Sequence, residues 1–372
     1  MNKNIFVKGI IISVASITLL MSLTACGAAS ASASDSANKI KAEKQESLKS
    51  LAATAKKEGK VVSVGMPDDW ADWKDTWSGI TTKYGIQHND TDMSSAEEIS
   101  KFTAEANNPT ADIGDVGAMF APIAVEKGVT QPYKTSYWDQ VPSWAKDKDG
   151  NWMVAYQGTM SFITDTKLVS NAPKTWKDVE KGNYKVSVGD VTKAASSQNV
   201  VLSAAYAFGG SEKNIEPAID FFAKLAKEGR LLTNDSNAAN LEKGEVQVGV
   251  LWDFNALALR DKLGKDSFTV TIPNDGAVVS GYSTIINKYA PDPAAAKLAR
   301  EYIFSDAGQI NLARGYARPI RSNVKLPADV KAKTLPTSDY KNAKPVKDTT
   351  AWTQTMQNLP QLWQEKVLIY VK

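Results

Sequence analysis

Short β-branched runs alternate with helical segments along the chain, and that alternation predicts an α/β protein whose mixed sheets are flanked by helices. Three observations carry the prediction. The first is a helix–glycine–strand opening: Leu48, Leu51, Ala52 and Ala55 fall at helical spacing, Gly59 stops them, and Val61-Val62-Ser63-Val64 follows. The second is that the same theme recurs several times. The third is bulk: 372 residues, 43% apolar and 23% charged, suffice for two domains of ordinary size.

The later elements follow in order. Residues 96–106 read as a helix, 111–116 as a short strand, 120–127 as a helix, 152–162 as a strand and 185–191 as another. Helices are expected at 198–208 and 215–228, and beyond Gly244 a buried strand at 246–252. Strands at 268–272 and 282–287 precede a helix opened by Asp292 with Pro293 in its first turn, and 305–314 continues as a second helix. There is no internal repeat and no second long apolar segment after the N-terminal one.

Composition removes several chemistries. One Cys and one His exclude an intramolecular disulfide, a Ser-His-Asp triad with a spare histidine and a thiolate-rich zinc site. The formal charge of +3, with scattered basic residues, gives no footprint for nucleic acid. Neither a cofactor fingerprint nor a P-loop occurs, so no cofactor or metal is expected. His88, in Gln87-His88-Asn89-Asp90, reads as an exposed polar residue.

The N-terminus has a basic start (Lys3, Lys8), an apolar run over 9–20 and then Leu23-Thr24-Ala25-Cys26. This is the three-part pattern of a secretory signal, and its last four residues resemble the lipobox of bacterial lipoproteins. The resemblance implies a signal peptide over 1–25, lipidation (palmitate among the acyl chains) at Cys26, and a lipid-anchored protein on the extracytoplasmic face of a bacterial membrane. Removal of Lys3 and Lys8 would leave a charge of about +1. The small-residue tract after Cys26 reads as a flexible tether over 26–44.

Three segments carry a wider resemblance. Ala55-Lys56-Lys57-Glu58-Gly59-Lys60-Val61-Val62, the stretch Asn287-Lys288-Tyr289-Ala290-Pro291-Asp292-Pro293-Ala294, and Glu301-Tyr302-Ile303-Phe304-Ser305-Asp306-Ala307-Gly308-Gln309 are similar to the solute-binding proteins of ABC importers, in the iron, phosphonate, thiamine and polyamine group. The resemblance covers roughly residues 45–345. It implies a two-lobed, type II periplasmic-binding-protein-like fold with the ligand cleft at the hinge, a monomer that loads a permease, and no enzymatic activity. By analogy the chain crosses near 159–165, 252–255 and 316–320. Lobe 1 is then 45–160 plus 256–318, and lobe 2 is 161–255 plus 320–372.

Ligands of open α/β sheets meet the loops at the carboxyl ends of strands, so the residues just after each expected strand are the candidates. They are Asp68, Asp69 and Trp70; Asp115; Tyr156 and Thr159; Ser196 and Ser197 at a helix start; Trp252 and Asp253; Tyr282; and Arg318. Each has a structural alternative. Asp68 or Asp69 could cap a helix, Ser197 likewise, and Asp253 and Arg318 could form an ion pair. Indoles beside carboxylates suit an ammonium, whereas the serines and Arg318 suit an oxyanion. A small amine-bearing solute, polyamine or aminoalkylphosphonate-like, satisfies most of these groups. Ferric iron or a phosphorylated solute is the alternative within the family, and the sequence lacks the adjacent Tyr-Tyr pair common in iron receptors. From another class, a surface carbohydrate hydrolase would use paired carboxylates as acid and base.

Overall fold

The computed structural model describes residues 47–371, so the expected signal segment, Cys26 and the tether lie outside the described residues. The described chain begins with helix α1, visible over 47–58, which Gly59 ends with φ +79° while its N–H reaches the Ala55 carbonyl (2.9 Å). Strand β1 (Lys60–Val64) follows at once, then α2 (Trp73–Tyr84), β2 (Gln87–Thr91), α3 (Ser95–Ala104), β3 (Ile113–Gly117) and α4 (Ala121–Glu126). β1 pairs in parallel with both β2 and β3, so the three strands end on the same side.

The strand that organises the molecule is β4 (Trp152–Asp165), 14 residues long and buried along nearly its whole length. Its first half pairs antiparallel with β9 (Ala277–Ile286), from Trp152 opposite Ile285 to Thr159 opposite Val279. Its second half pairs instead with two other strands. Met160 faces Trp252 of β7 (Val248–Trp252), and Phe162 faces Thr271 of β8 (Phe268–Thr271). The change of partners between Thr159 and Met160 divides the strands into two groups. One is β2-β1-β3-β9-β4 and the other β4-β7-β5-β6, where β5 (Val186–Ser187), β6 (Leu231–Leu232) and β7 are parallel.

Helices cover both groups. On the second lie α5 (Trp176–Lys181), α6 (Ala195–Ala207), α7 (Glu216–Lys227), α8 (Ala238–Glu242) and α9 (Asp253–Leu263). α6 is buried almost all round, which is why its sequence has no polar stripe. After β9 come α10 (Pro293–Ile303) and α11 (Asp306–Arg314), then the short β10 (Arg318–Pro319), which pairs with Gln157 and Tyr156 of β4. The chain finishes with α12 (Ala328–Lys331), β11 (Ala343–Pro345) and α13 (Thr349–Lys366). Trp363 of α13 meets Phe222 of α7 at 5.3 Å between ring centroids. Among the described residues no helix is long and apolar enough to cross a membrane.

Several expectations shift. The strand expected over 185–191 is only two residues long, because the chain turns away at Gly189 (φ +73°). β2 is a strand without an apolar residue, QHNDT, at the edge of the sheet and paired with β1. His88 is therefore not a free surface residue: it stacks on Trp77 (3.8 Å, 9° between planes) and meets Ser63 Oγ through Nε2 at 2.8 Å. Burial pushes its pKa down to about 4. β8, which the expected limits put with the first lobe, pairs with the second half of β4, and α9 meets β4 where that strand changes partners, with Phe254 against Tyr156 and Asp253 on the Thr159 N–H.

Candidate functional site

The parallel strands of both groups end at one cavity of about 540 Å³. From the first group it is lined by the loop after β1 (Gly65, Pro67, Asp69, Trp70), the loop after β2 with the start of α3 (Asp92 to Ser95, Glu97, Glu98), Asp115 of β3 and Tyr282 of β9. From the second come Gly189, Asp190 and Lys193 to Ser197, then Asp235 to Ala238 at the start of α8, Trp252, and Asn255 with Lys262 on α9. Gly117 and Ala195 bring the two sides together, since a Cβ on Gly117 would overlap that of Ala195.

The floor is an aromatic and carboxyl cluster. The Tyr156 hydroxyl donates to Asp115 Oδ2 (2.5 Å) and accepts from Trp70 Nε1 (2.7 Å), while its ring stacks on Tyr282 at 5.7 Å. Trp252 Nε1 donates to the Tyr282 hydroxyl (3.2 Å), and Trp70 stands edge-on to Tyr282 at 5.3 Å. Glu98, on the buried face of α3, accepts from the Asp115 backbone N–H through Oε2 (2.9 Å). Gly65, at φ +71°, and Gly114 leave the room its carboxyl occupies. Burial raises the Asp115 pKa to about 8 against the pull of the Tyr156 hydroxyl, and burial with the nearby Asp115 raises that of Glu98 well above the usual range.

Charge in the cavity is one-sided: seven carboxyl groups (Asp69, Asp92, Glu97, Glu98, Asp115, Asp190, Asp235) against Lys193 and Lys262. Like charges face each other across it. Burial raises the Asp235 pKa and Asp190 and Asp92 add to it, while burial and Asp69 raise that of Asp92. An ion pair across the cavity, Lys193 to Glu97 at 3.6 Å, is half exposed on both partners and contributes little. Opposite the acids, α6 starts at Ala195 after Ala194, which has no capping side chain, so the first-turn N–H groups beside Ser196 and Ser197 face the cavity.

Of the residues expected to bind ligand, Asp69, Trp70, Asp115, Ser196, Ser197, Trp252 and Tyr282 line the cavity. Tyr156 lies behind Asp115, bonded to it, and Asp68 is exposed outside the lining. Neither Asp68 nor Asp69 caps α2: that position belongs to Asp72, in the left-handed region at φ 58° and with no capping bond. Asp253, Thr159 and Arg318 form a separate group at the place where β4 changes partners. Asp253 Oδ1 accepts from the Thr159 N–H (2.8 Å), and Oδ2 accepts from Arg318 Nη1 (3.0 Å) and the Tyr340 hydroxyl (2.8 Å). Arg318 Nη2 donates to Thr159 Oγ1 (2.6 Å), and its guanidinium lies 4.6 Å from the Tyr340 ring centre. That geometry is an ion pair tying α9, β4, β10 and the 337–340 turn together.

Sequence reasoning did not single out Asp92, Glu97, Glu98 or Asp235. Glu98 had a readable signal, because it falls with Ser95, Ile99 and Phe102 on the buried stripe of α3, where a carboxylate is out of place.

The family description "bacterial extracellular solute-binding protein" matches residues 108–346. An uncharacterised protein of Haemophilus influenzae is 27% identical over 254 residues, 63% of this chain and 70% of that one. A putative 2-aminoethylphosphonate-binding periplasmic protein of Salmonella typhimurium is 22% identical over 267 residues, 66% of this chain and 72% of its own. Among solved structures, the periplasmic binding protein AfuA from Actinobacillus pleuropneumoniae, with exogenous fructose-6-phosphate bound, superposes with a TM-score of 0.70 at 17% identity, covering 82% of this chain and 98% of that one. A ferric binding protein from Campylobacter jejuni gives 0.62 at 19% identity, covering 82% and 98%. These likenesses establish the two-lobed type II fold.

Proposed function

The chain belongs to the bacterial extracellular solute-binding proteins of ABC transporters, and from that premise we propose that its solute is a small organic molecule bearing a protonated amine, a polyamine or an aminoalkylphosphonate. The observation that carries the reading is the excess of carboxyl groups, contributed from both sides of a cavity that Trp70, Trp252 and Tyr282 also line. An ammonium relieves the repulsion between Asp92 and Asp235 and gains from the indole faces, worth about 0.5–2 kcal/mol per contact. An aminoalkylphosphonate also uses the start of α6, where Ser196, Ser197 and the free N–H groups suit an oxyanion. Family and fold are those of transport proteins rather than enzymes, and paired carboxyls facing each other across a cleft serve a cation as well as they would serve hydrolysis.

In this reading the empty cavity resists closure because like charges approach, and the cation favours it by binding both faces. The loaded form then docks on a permease. Calorimetric titration with putrescine, spermidine, 2-aminoethylphosphonate, sulfate, fructose 6-phosphate and ferric citrate tests the solute class. Saturable binding confined to the amines supports it, and binding confined to sulfate, the sugar phosphate or iron refutes it.

The lipid anchor is proposed on the Leu23-Thr24-Ala25-Cys26 motif. Two acyl chains on Cys26 would hold the protein at the membrane surface. A Cys26→Ser chain is expected to leave the membrane fraction of the producing cell, and one that stays there refutes the anchor.

A further inference from the structure

We propose that Glu98 and Asp115 form a cation subsite on the floor of the cavity, holding the solute's ammonium between two carboxyl oxygens beneath Trp70 and Tyr282. The inference rests on the amine reading above and deepens it. Both carboxyl groups are 1% exposed and both residues line the cavity. Glu98 Oε2 takes the Asp115 N–H and Asp115 Oδ2 takes the Tyr156 hydroxyl, whereas Glu98 Oε1 has no hydrogen-bond partner and the Asp115 carboxyl has only the buried Trp73 indole N–H as a further donor. Buried carboxyl oxygens without partners leave bonding capacity unused, and in residues that line a ligand cavity a donor from outside can take it up once the carboxyl ionises. An ammonium brings three donors and no acceptor, which suits two carboxyl oxygens.

The position is held rigidly. Glu98 fits only because Gly65 and Gly114 have no Cβ, and Asp115 is fixed through Tyr156 to Trp70. The charged groups acting on the pair are other carboxyls, Asp90 and Asp92, with the hydroxyls of Tyr156 and Tyr282 alongside. His88 is turned to Ser63, which also donates to Asp90 (2.5 Å), and Lys193 is drawn to Glu97. Since burial holds Asp115 near 8 and Glu98 high, the empty pair keeps its protons at neutral pH. Capture of R–NH3+ then expels one proton to solvent: the O–H bond of one carboxyl breaks, and the carboxylate so formed accepts N–H bonds from the ammonium.

The test is calorimetric titration of putrescine and of 2-aminoethylphosphonate into the protein, in buffers of differing ionisation heat, between about pH 6 and 8. The wild type is expected to release close to one proton per putrescine and to bind it up to about tenfold more tightly per pH unit. Glu98→Gln and Asp115→Asn, which keep the bonds to the Asp115 N–H and the Tyr156 hydroxyl, are each expected to weaken binding at least tenfold, and the double variant to abolish proton release. If one variant fails to melt cooperatively, the other decides. Amine binding without proton release, unchanged in the folded variants, overturns the subsite and leaves the amine reading intact. Binding of sulfate or fructose 6-phosphate in place of both amines overturns the amine reading and the subsite with it.

Discussion

Replacing Asp253 with alanine separates an anchor of the fold from a contact to the solute. The carboxylate is buried, and burial holds its pKa above the usual range even though Arg318 pulls it down. Removal strands the Thr159 N–H inside β4, at a cost of about 1–3 kcal/mol, and breaks a charge pair whose loss costs about 3–5 kcal/mol when fully buried. The Arg318 side chain is 28% exposed and keeps Thr159 Oγ1 and the Tyr340 ring, so water and these neighbours recover part of the loss. A net cost of about 3–4 kcal/mol follows. An unfolding entropy of about 2.1 cal/mol/K per residue over roughly 325 residues is about 0.7 kcal/mol/K, which converts the loss to a fall in Tm of about 4–6 °C. Asp253→Asn keeps acceptors for Thr159 and Tyr340 and is expected to fall by about half as much. Thermal scanning and calorimetric titration of an amine on the same samples check this, with affinity expected to stay within about threefold. A Tm within 1 °C of wild type together with more than tenfold weaker binding refutes the argument and makes Asp253 a solute contact.

The pH profile of the ligand-free protein follows from the buried acids and His88. Asp115 (about 8) and Glu98 are raised, so the folded state keeps protons that the unfolded chain has released, and stability falls as pH rises; between about pH 6.5 and 8 the slope for one such proton is about 1.4 kcal/mol, or about 2 °C, per pH unit. Asp115→Asn should flatten that limb, and a Tm that rises over this interval would contradict the assignment. His88, lowered to about 4, contributes stability above pH 6.5 that is lost as pH falls towards 4, so His88→Asn should flatten the acid side, read by the same scans.

The parts of the fold that burial dictates were legible. The runs 61–64 and 246–252, the turn at Gly59 and the helix opened by Pro293 are found within a few residues of where apolar spacing puts them. Where burial and polarity disagree, the reading failed. β2 has no apolar residue because its inward side chains, His88 and Asp90, bond to Ser63 and His88 stacks on Trp77, which no hydropathy pattern reports. The two-residue strands β5 and β6 are too short for any periodicity to show. The change of partners along β4 is a tertiary event, and so is the pairing of β8 with that strand's second half.

The cavity was half legible for a related reason. Helices that follow parallel strands start at the strands' carboxyl ends, so the residues that cap or turn the chain there are the ones a ligand meets. Ser94 and Glu97 form a capping box, Asp190 holds the Thr192 N–H (2.9 Å) and Asn237 caps α8, and all four also line the cavity. A cap and a contact are therefore not alternatives at these positions, and weighing one against the other cannot sort them. What sorts them is whether an acceptor is already used. Glu97 has one oxygen taken by Ser94 and a side chain half in water, while Glu98 has one oxygen taken by the Asp115 N–H and the other buried with no hydrogen-bond partner. Bonding capacity left over after folding, in a group that lines the cavity, is what marks Glu98 for the proposed solute contact, and it exists only once the chain is folded.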